Sequence, residues 1–339
     1  MYRIKIGCQL EYATPTANPA VFVVQPPAHP RQMIERESLL LVGATPTGEF
    51  TDTFGNRCQR VILQPGDSQL RYEALAAVPP EGDAVVSEAR QIPPDELPSH
   101  LLRFTLPSRY AETDKLLGFA WETFAHVPRG WTRARAICDW VHDHVEYKRG
   151  VSLPHWSAAD TIARRQGVCR DRAHAVIALC RAFNMPARYA VSYLPDIEVP
   201  DDGIPMDFHA YAEVWLEGGW QVFDPHDRFP RKGRVFLASG LDAADAAFAT
   251  LYGGARLTAF EVWADPIPFY DRAVTGERPA PAERPAAGER PAAERPAPDR
   301  PTGTDRPPSF APDARPAQPP TGAPALAVVP AIPASASAG

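Results

Sequence analysis

The feature that most constrains this fold is the run Gly167-Val168-Cys169-Arg170-Asp171, where a stretch of regularly spaced apolar residues begins. From Cys169 onward, small and apolar residues recur at helical spacing as far as Asn184, and Pro186 follows. The pattern predicts a buried helix that starts with a cysteine and ends at Asn184. Because unpaired N–H groups and the helix dipole favour a thiolate at such a position, Cys169 is a candidate nucleophile.

Two later segments supply the partners that a cysteine nucleophile needs. His209 lies in the alternating stretch 207–215, and Asp224 closes the next one, 219–224, so both are predicted to lie on strands or at their ends. Adjacent antiparallel strands can place the two side chains together, and a helix packed on their sheet can present the cysteine. In such a trio the imidazole accepts the thiol proton, the carboxylate fixes its tautomer, and the sulfur attacks a carbonyl.

Four ordered blocks resemble the transglutaminase-like superfamily, and they resemble its microbial branch best. The blocks are residues 165–174, 185–189, 207–210 and 219–224. The resemblance covers roughly residues 100–265 and implies a papain-like α+β core with a catalytic triad at Cys169, His209 and Asp224. Arg172 departs from the pattern, since members often carry an aromatic residue there. This departure bears on packing or substrate more than on the chemistry.

The rest of the chain divides by composition. Residues 1–80 alternate in short stretches between turns and predict a small all-β module, expected to act in packing or gating. Residues 81–107 are proline-rich and indicate a connector, and residues 108–272 form the predicted catalytic domain. Sixteen of the 39 prolines lie after Val274, among repeats of Glu-Arg-Pro-Ala, so residues 273–339 are predicted to be a disordered tail.

Three helices are predicted in the catalytic domain before Cys169. Apolar residues at intervals of three and four indicate helices over 113–124 and 131–145. Ser157, followed three residues later by Asp160, is a capping pattern for a short helix that ends at Arg165.

Charge and cysteine content disfavour several classes of partner. The net charge is −6 and the isoelectric point is about 5.9, so no basic field would attract nucleic acid or an anionic membrane. The sequence shows neither a signal-peptide pattern nor an apolar window long enough to span a bilayer, which makes a cytoplasmic protein the expectation. Five cysteines without paired spacing indicate reduced thiols. No cofactor is predicted, and the oligomeric state is left open.

Other reactive side chains have simpler structural interpretations. Cys180 and His174 follow Cys169 on the same helix; Cys180 is expected deep in the core, and His174 points about 140° away from the sulfur. A group of acids and histidines on the preceding helix is interpreted as a solvated face and not as a metal site. The group consists of Asp139, His142, Asp143 and His144.

The oxyanion hole is the part of the site that the sequence predicts least well. The backbone N–H of Cys169, at a helix start, is a natural donor to a developing negative charge. A second donor must come from upstream. Trp156 is one candidate through its indole N–H, and a role as an aromatic lid or core residue is the alternative.

The sequence therefore predicts acyl transfer through a Cys169 thioester on protein or peptide amides. The resemblance to microbial members favours hydrolysis, which would make the protein a peptidase or amidase. Transfer to a lysine amine, as in a transglutaminase, stays open because the same triad serves both reactions. A non-catalytic interaction protein on the same fold is the remaining alternative, whereas a redox sensor lacks a nearby resolving cysteine.

Overall fold

The computed structural model describes residues 1–200 and 203–267. Strands predominate toward both ends of this range, and the α-helices lie between them. The strands are β1 (Tyr2–Thr14), β2 (Asn18–Gln25), β3 (Met33–Val42), β4 (Ala44–Thr51), β5 (Arg57–Leu63), β6 (Gly66–Val78), β7 (Glu146–Tyr147), β8 (Gln166–Gly167), β9 (Ala187–Tyr193), β10 (His209–Leu216), β11 (Gly219–Phe223), β12 (Val235–Gly240), β13 (Ala249–Leu251) and β14 (Arg256–Pro266). The helices are α1 (Thr113–Phe124), α2 (Trp131–His144), α3 (Ala158–Arg164) and α4 (Cys169–Arg181), and a 3₁₀ helix covers Ser99–Thr105. The predicted α+β class is confirmed.

Two four-stranded sheets form the N-terminal module. One has the order β14-β1-β6-β3, and the other has the order β13-β2-β5-β4. Alternate residues on β1, such as Ile4, Ile6 and Leu10, are fully buried, as the two-residue period of a strand requires. The all-β module that the sequence predicts is thus present.

The module also takes two strands from residues that the sequence assigns to the catalytic domain. β14 pairs with β1 from Ile4 opposite Pro266 to Ala13 opposite Arg256, and β13 pairs with β2. A long strand such as β1 presents two edges, and an unpaired edge leaves backbone groups without partners. β6 covers one edge of β1, and the returning chain covers the other. The domain boundaries at residues 80 and 107 stay a prediction.

Strand β4 is absent from the sequence-based expectation because Pro46 and Gly48 are typical of turns. β4 lies at the end of its sheet, pairs with β5, and changes register between Pro46 and Gly48. A proline at a sheet edge costs little, since no neighbouring strand needs its missing N–H. The turn-forming residues Pro46 and Gly48 therefore explain why the sequence does not predict this edge strand.

The core of the predicted catalytic domain consists of the sheet β11-β10-β9-β12 with α4 packed against it. β10 runs antiparallel to both β9 and β11, with His209 opposite Ser192 and Ala212 opposite Phe223. Every residue of α4 from Asp171 to Arg181 is buried, and α1, α2 and α3 all contact this helix. The helix that begins at the cysteine is therefore the centre of the core, as its sequence predicts.

The helix ends follow the predicted signals closely. Ser157 and Asp160 form a reciprocal capping box at the start of α3, and Arg165 ends that helix with a left-handed φ of 54°. α4 is shorter than predicted, since its last helical residue is Arg181. Asn184 has a φ of 58°, and turns the chain out of the helix before β9.

Some predictions about the chain are not decided by its fold. The tail predicted over 273–339 lies outside the described residues. In the part of the chain that is described, no helix combines the length and the apolar character needed to cross a bilayer. The expected cytoplasmic location and the expected lack of nucleic-acid and membrane partners stay predictions.

Candidate active site

Cys169 is the first residue of α4, and the turn before it is firmly held. The Asp171 carboxylate accepts a hydrogen bond from the Val168 N–H at 3.0 Å and one from the Arg170 guanidinium at 2.8 Å. A Cβ atom at position 167 would come within 2.8 Å of the Asp171 Cβ, so Gly167 permits this close approach. The result is a fixed helix start whose cysteine is partly exposed to two cavities.

The protonation state of Cys169 also depends on burial, which the sequence-based expectation does not include. Burial raises the pKa of the Cys169 thiol to about 11, and the charges of Asp207 and Asp224 add to the rise. The N–H groups of Ala210 and Arg170 donate toward the sulfur and lower the pKa, but they do not outweigh burial. Burial therefore opposes the thiolate that the helix start favours. A helix N-terminus stabilises an anion by only about 0.3–1 kcal/mol, less than burial of an unpaired charge costs.

β10 and β11 bring His209 and Asp224 together. His209 begins β10, Asp224 follows the last residue of β11, and His209 Nε2 lies 2.6 Å from Asp224 Oδ2. Burial alone would raise the pKa of Asp224, but the charge and hydrogen bond of His209, together with Arg234, hold that pKa well below its usual range. Because Nε2 contacts the carboxylate, Nδ1 is the ring nitrogen left for a reacting group. Cys169 and His209 line the same cavity.

Arg234 and Asp83 form a second charge pair, which contacts Asp224 and which the sequence does not predict. Arg234 Nη2 lies 2.9 Å from Asp224 Oδ2, and the Arg234 guanidinium also meets both carboxylate oxygens of Asp83 at 2.9 Å. Asp83 lies in the predicted connector, and Arg234 immediately precedes β12. All of these side chains are largely buried. His209 is thus one end of a row of hydrogen-bonded groups that continues through Asp224 and Arg234 to Asp83.

Asp207 is a further carboxylate at the site, and it lines both cavities that contain Cys169. Burial raises the pKa of Asp207, whereas the Phe208 N–H and the charges of Arg149 and His209 lower it. Asp207 belongs to the same sequence block as His209, but no role is predicted for it from the sequence. Asp207 lies two residues before His209, so in an extended chain the two side chains point to the same side. This spacing is the sequence signal that could have identified Asp207.

We expect Asp207→Asn to shift the pH profile of Cys169 alkylation by about one pH unit toward lower pH. The Asp207 charge disfavours the thiolate, so its removal lowers the pKa of the thiol. The rate of iodoacetamide labelling at Cys169, followed by mass spectrometry from neutral to alkaline pH, measures the shift. Glu122→Gln, which removes an exposed carboxylate on α1, is the control. A profile that stays in place or moves upward would contradict the assignment.

Trp156, the predicted second oxyanion donor, is buried with 4% exposure. Its indole N–H has no hydrogen-bond partner among the described residues, and its ring lies 4.8 Å from the Arg164 guanidinium carbon. Ser152 and Pro154, from the same loop, line the larger cavity at Cys169. The role of Trp156 as a donor stays a prediction. The sequence does not predict that the Ala210 N–H interacts with the Cys169 sulfur and lowers the pKa of its thiol.

His174 and Cys180 occupy core positions, as their spacing from Cys169 suggests. His174 is fully buried between the rings of Tyr110 and Tyr189, with centroids 5.2 Å and 5.0 Å away. Its Nε2 accepts a hydrogen bond from the Ala243 N–H at 3.1 Å. Burial lowers the pKa of His174 to about 3, so the ring is neutral at physiological pH. Cys180 is likewise fully buried.

The acids and histidines of α2 are engaged in separate contacts. Asp139 pairs with Arg135 one turn away, and the His144 ring stacks on Trp140 with centroids 4.4 Å apart. His142 Nδ1 lies 3.0 Å from the Pro225 carbonyl oxygen. The buried Arg172, which departs from the family pattern, donates to the His142 carbonyl at 3.0 Å. Arg172 thus ties α4 to α2, which is a packing role.

Comparisons with known proteins agree with this architecture. A family model described as the transglutaminase-like superfamily matches residues 120–225. A crystal structure from Cytophaga hutchinsonii, provisionally named a cysteine protease, is 32% identical, with a TM-score of 0.71 over 79% of this chain and 91% of that chain. The periplasmic domain of TgpA from Pseudomonas aeruginosa is 16% identical, with a TM-score of 0.34 over 65% and 87% of the two chains, too low a score to support further comparison. No curated protein matches the sequence.

Proposed function

The chain belongs to the transglutaminase-like superfamily, and on that premise we propose that it is a thiol-dependent peptidase or amidase with Cys169 as its nucleophile. The family and the Cytophaga hutchinsonii relative support a cysteine-based catalytic function in general. The observation that carries the finer proposal is the 2.6 Å contact between His209 Nε2 and Asp224 Oδ2, beside a cavity that Cys169 and His209 share.

In the proposed mechanism proton transfer and attack are coupled, since burial of the sulfur disfavours a free thiolate. His209 Nδ1 takes the thiol proton as the sulfur bonds to the carbonyl carbon, and the carbonyl electron pair moves onto oxygen. When the tetrahedral intermediate collapses, the C–N bond breaks and the imidazolium gives its proton to the leaving amine. Water then attacks the thioester carbon and gives a proton to His209. Collapse releases the carboxylic acid, and the Cys169 thiol is restored.

Asp224 has an orienting and electrostatic role in this proposal. Its low pKa keeps it ionised, so it accepts the Nε2–H hydrogen bond and stabilises the imidazolium that forms during attack. Arg234 and Asp83 hold the carboxylate in place from the opposite side. Buried charges are tolerated when each has a partner, and the row supplies one for each.

Transfer of the acyl group to an amine is the second candidate function, and one observation favours it. Asp207 offers a carboxylate at the junction of the two cavities, where a cationic amine such as a lysine side chain could approach the thioester. The same three residues serve this reaction, with the amine replacing water. A primary amine supplied to the enzyme therefore distinguishes the two functions.

The proposed function is tested by incubating the full chain with a library of peptide amides, with and without a small primary amine. We expect an acyl adduct on Cys169 after acid quenching, and free carboxylic acid as the main product in both mixtures. An amide formed with the added amine as the main product would favour transfer. If no adduct forms and iodoacetamide labels all five cysteines slowly and uniformly, the protein is not a thiol enzyme.

A further inference from the structure

Two cavities meet at Cys169, and they differ in size and lining. The larger has a volume of about 950 Å³ and the smaller about 300 Å³. Aromatic and aliphatic side chains dominate the larger one, including Tyr110, Tyr189, Phe208, Phe248 and Leu251, and Arg149, Arg170 and Asp207 line it as well. The smaller cavity has a larger share of imidazole and charged groups, including His209, His226, Asp196, Asp227 and Arg231, beside apolar side chains such as Leu194 and Met206.

His209 gives these cavities different roles in amide cleavage. Among the described residues, His209 lines the smaller cavity, whereas the larger one begins at Cys169 and extends past Ala210. The imidazolium must donate its proton to the leaving nitrogen, so that nitrogen lies within hydrogen-bond reach of His209. The leaving amine then occupies the smaller cavity. Since the scissile carbon sits at the sulfur, the acyl portion extends into the larger cavity.

The walls of the larger cavity are preformed. His174 lies between the rings of Tyr110 and Tyr189 and accepts the Ala243 N–H, which links three parts of the wall to α4. Ala243, Ala246 and Ala247 line the same cavity with methyl groups and leave room beside the rings. A rigid, mainly apolar cavity of this size binds an apolar group at a small ordering cost.

We propose that the enzyme is selective for amides with a bulky apolar or aromatic residue on the acyl side and a polar leaving amine. This inference rests on the proposed function, because the direction of the substrate follows from the role of His209. The acyl-side residue fills the space between Tyr110, Tyr189 and Phe248, and the polar amine meets the charged groups of the smaller cavity. Burial of the apolar side chain provides the selectivity.

Binding is tested separately from catalysis with Cys169→Ala in the full chain, since this variant cannot form a thioester. The probes are acetyl-phenylalanyl-serinamide and acetyl-glutamyl-serinamide, titrated by calorimetry. We expect the phenylalanyl peptide to bind at least about tenfold more tightly, a modest demand for a pocket that accepts a whole aromatic ring. Equal affinities, a preference for the glutamyl peptide, or no binding of either peptide would overturn the inference.

A cavity-filling variant gives the matched control. Ala247→Trp, at a partly exposed position of the larger cavity, should reduce the preference for the phenylalanyl over the glutamyl peptide about tenfold. Leu40→Ala, an exposed residue of β3 that lines neither cavity, should not alter the phenylalanyl preference. If Ala247→Trp fails to fold, Ala249→Phe in the same cavity replaces it. Equal loss for both peptides in the filled variant would contradict the assignment.

Turnover by the wild-type chain tests the proposed function separately from the assignment of the larger cavity to the acyl side. A phenylalanyl preference in binding without any acyl adduct on Cys169 would refute the proposed function and leave the apolar cavity as a binding site. Turnover with a preference for the glutamyl peptide would support the enzyme and refute the cavity assignment.

Discussion

Replacing Cys169 by serine should leave the fold intact and reduce turnover at least about a thousandfold. A serine hydroxyl occupies a similar volume but holds its proton far more tightly than a thiol does. The Cys169 thiol is itself difficult to deprotonate, because burial raises its pKa to about 11. A serine hydroxyl, which is a still weaker acid, would therefore transfer its proton to His209 far less readily. Peptide-amide hydrolysis, measured beside the circular dichroism spectrum and the melting temperature, checks the result.

Cys58→Ser is the matched control for this variant. Cys58 is buried in the N-terminal module, and its sulfur lies 3.6 Å from the Asn56 carbonyl oxygen, so a hydroxyl can donate in the same place. We expect Cys58→Ser to keep wild-type turnover. Near-normal turnover in Cys169→Ser would mean that another residue is the nucleophile.

The parts of the site that could be predicted depend on local sequence patterns. Cys169 begins a helix whose small and apolar residues all face a core, and His209 and Asp224 lie at the ends of two consecutive strands that pair. A short connection between antiparallel strands makes their pairing a local event. The spatial meeting of His209 and Asp224 follows from that pairing, so the sequence is sufficient to propose it.

Features that depend on distant contacts escaped prediction. Asp83 and Arg234 are far apart in sequence, and neither lies in a pattern that marks it as buried. The protonation state of Cys169 likewise depends on how much of the surrounding fold covers the sulfur, which a helix-start argument cannot supply. Both features depend on desolvation, which is a property of the assembled structure.

The N-terminal module takes part in the candidate site in a way that the sequence does not reveal. β13 pairs with β2 of the module, and its residues Ala249 and Leu251 line the larger cavity beside Phe248. The module is therefore more than a separate packing unit, since one of its sheets supports a wall of the proposed acyl site.

We expect Asp224→Asn to lower the turnover number about 10- to 1000-fold with little change in KM. Asp224 Oδ2 contacts both His209 and Arg234, and Oδ1 accepts the His226 N–H at 3.0 Å. An asparagine cannot satisfy all three donors. If the asparagine oxygen faces His209, the productive tautomer is kept, but the asparagine NH₂ then faces the His226 N–H, and both groups are donors. With its NH₂ toward His209 it selects the tautomer whose Nδ1 cannot accept the thiol proton.

The two orientations of the amide introduced by Asp224→Asn make the loss graded, and Arg234 decides between them. Arg234 also requires an acceptor at 2.9 Å, so it favours the orientation that keeps the productive tautomer, and this limits the loss to less than a serine triad suffers. Asp83→Asn, which removes a charge from the far end of the row, should have a smaller effect because it does not touch His209. Steady-state kinetics of both variants provide the comparison. If turnover in Asp224→Asn equals wild type, Asp224 is only a turn residue; if Asp83→Asn is equally impaired, the effect comes from the loss of a buried charge pair and not from the imidazole.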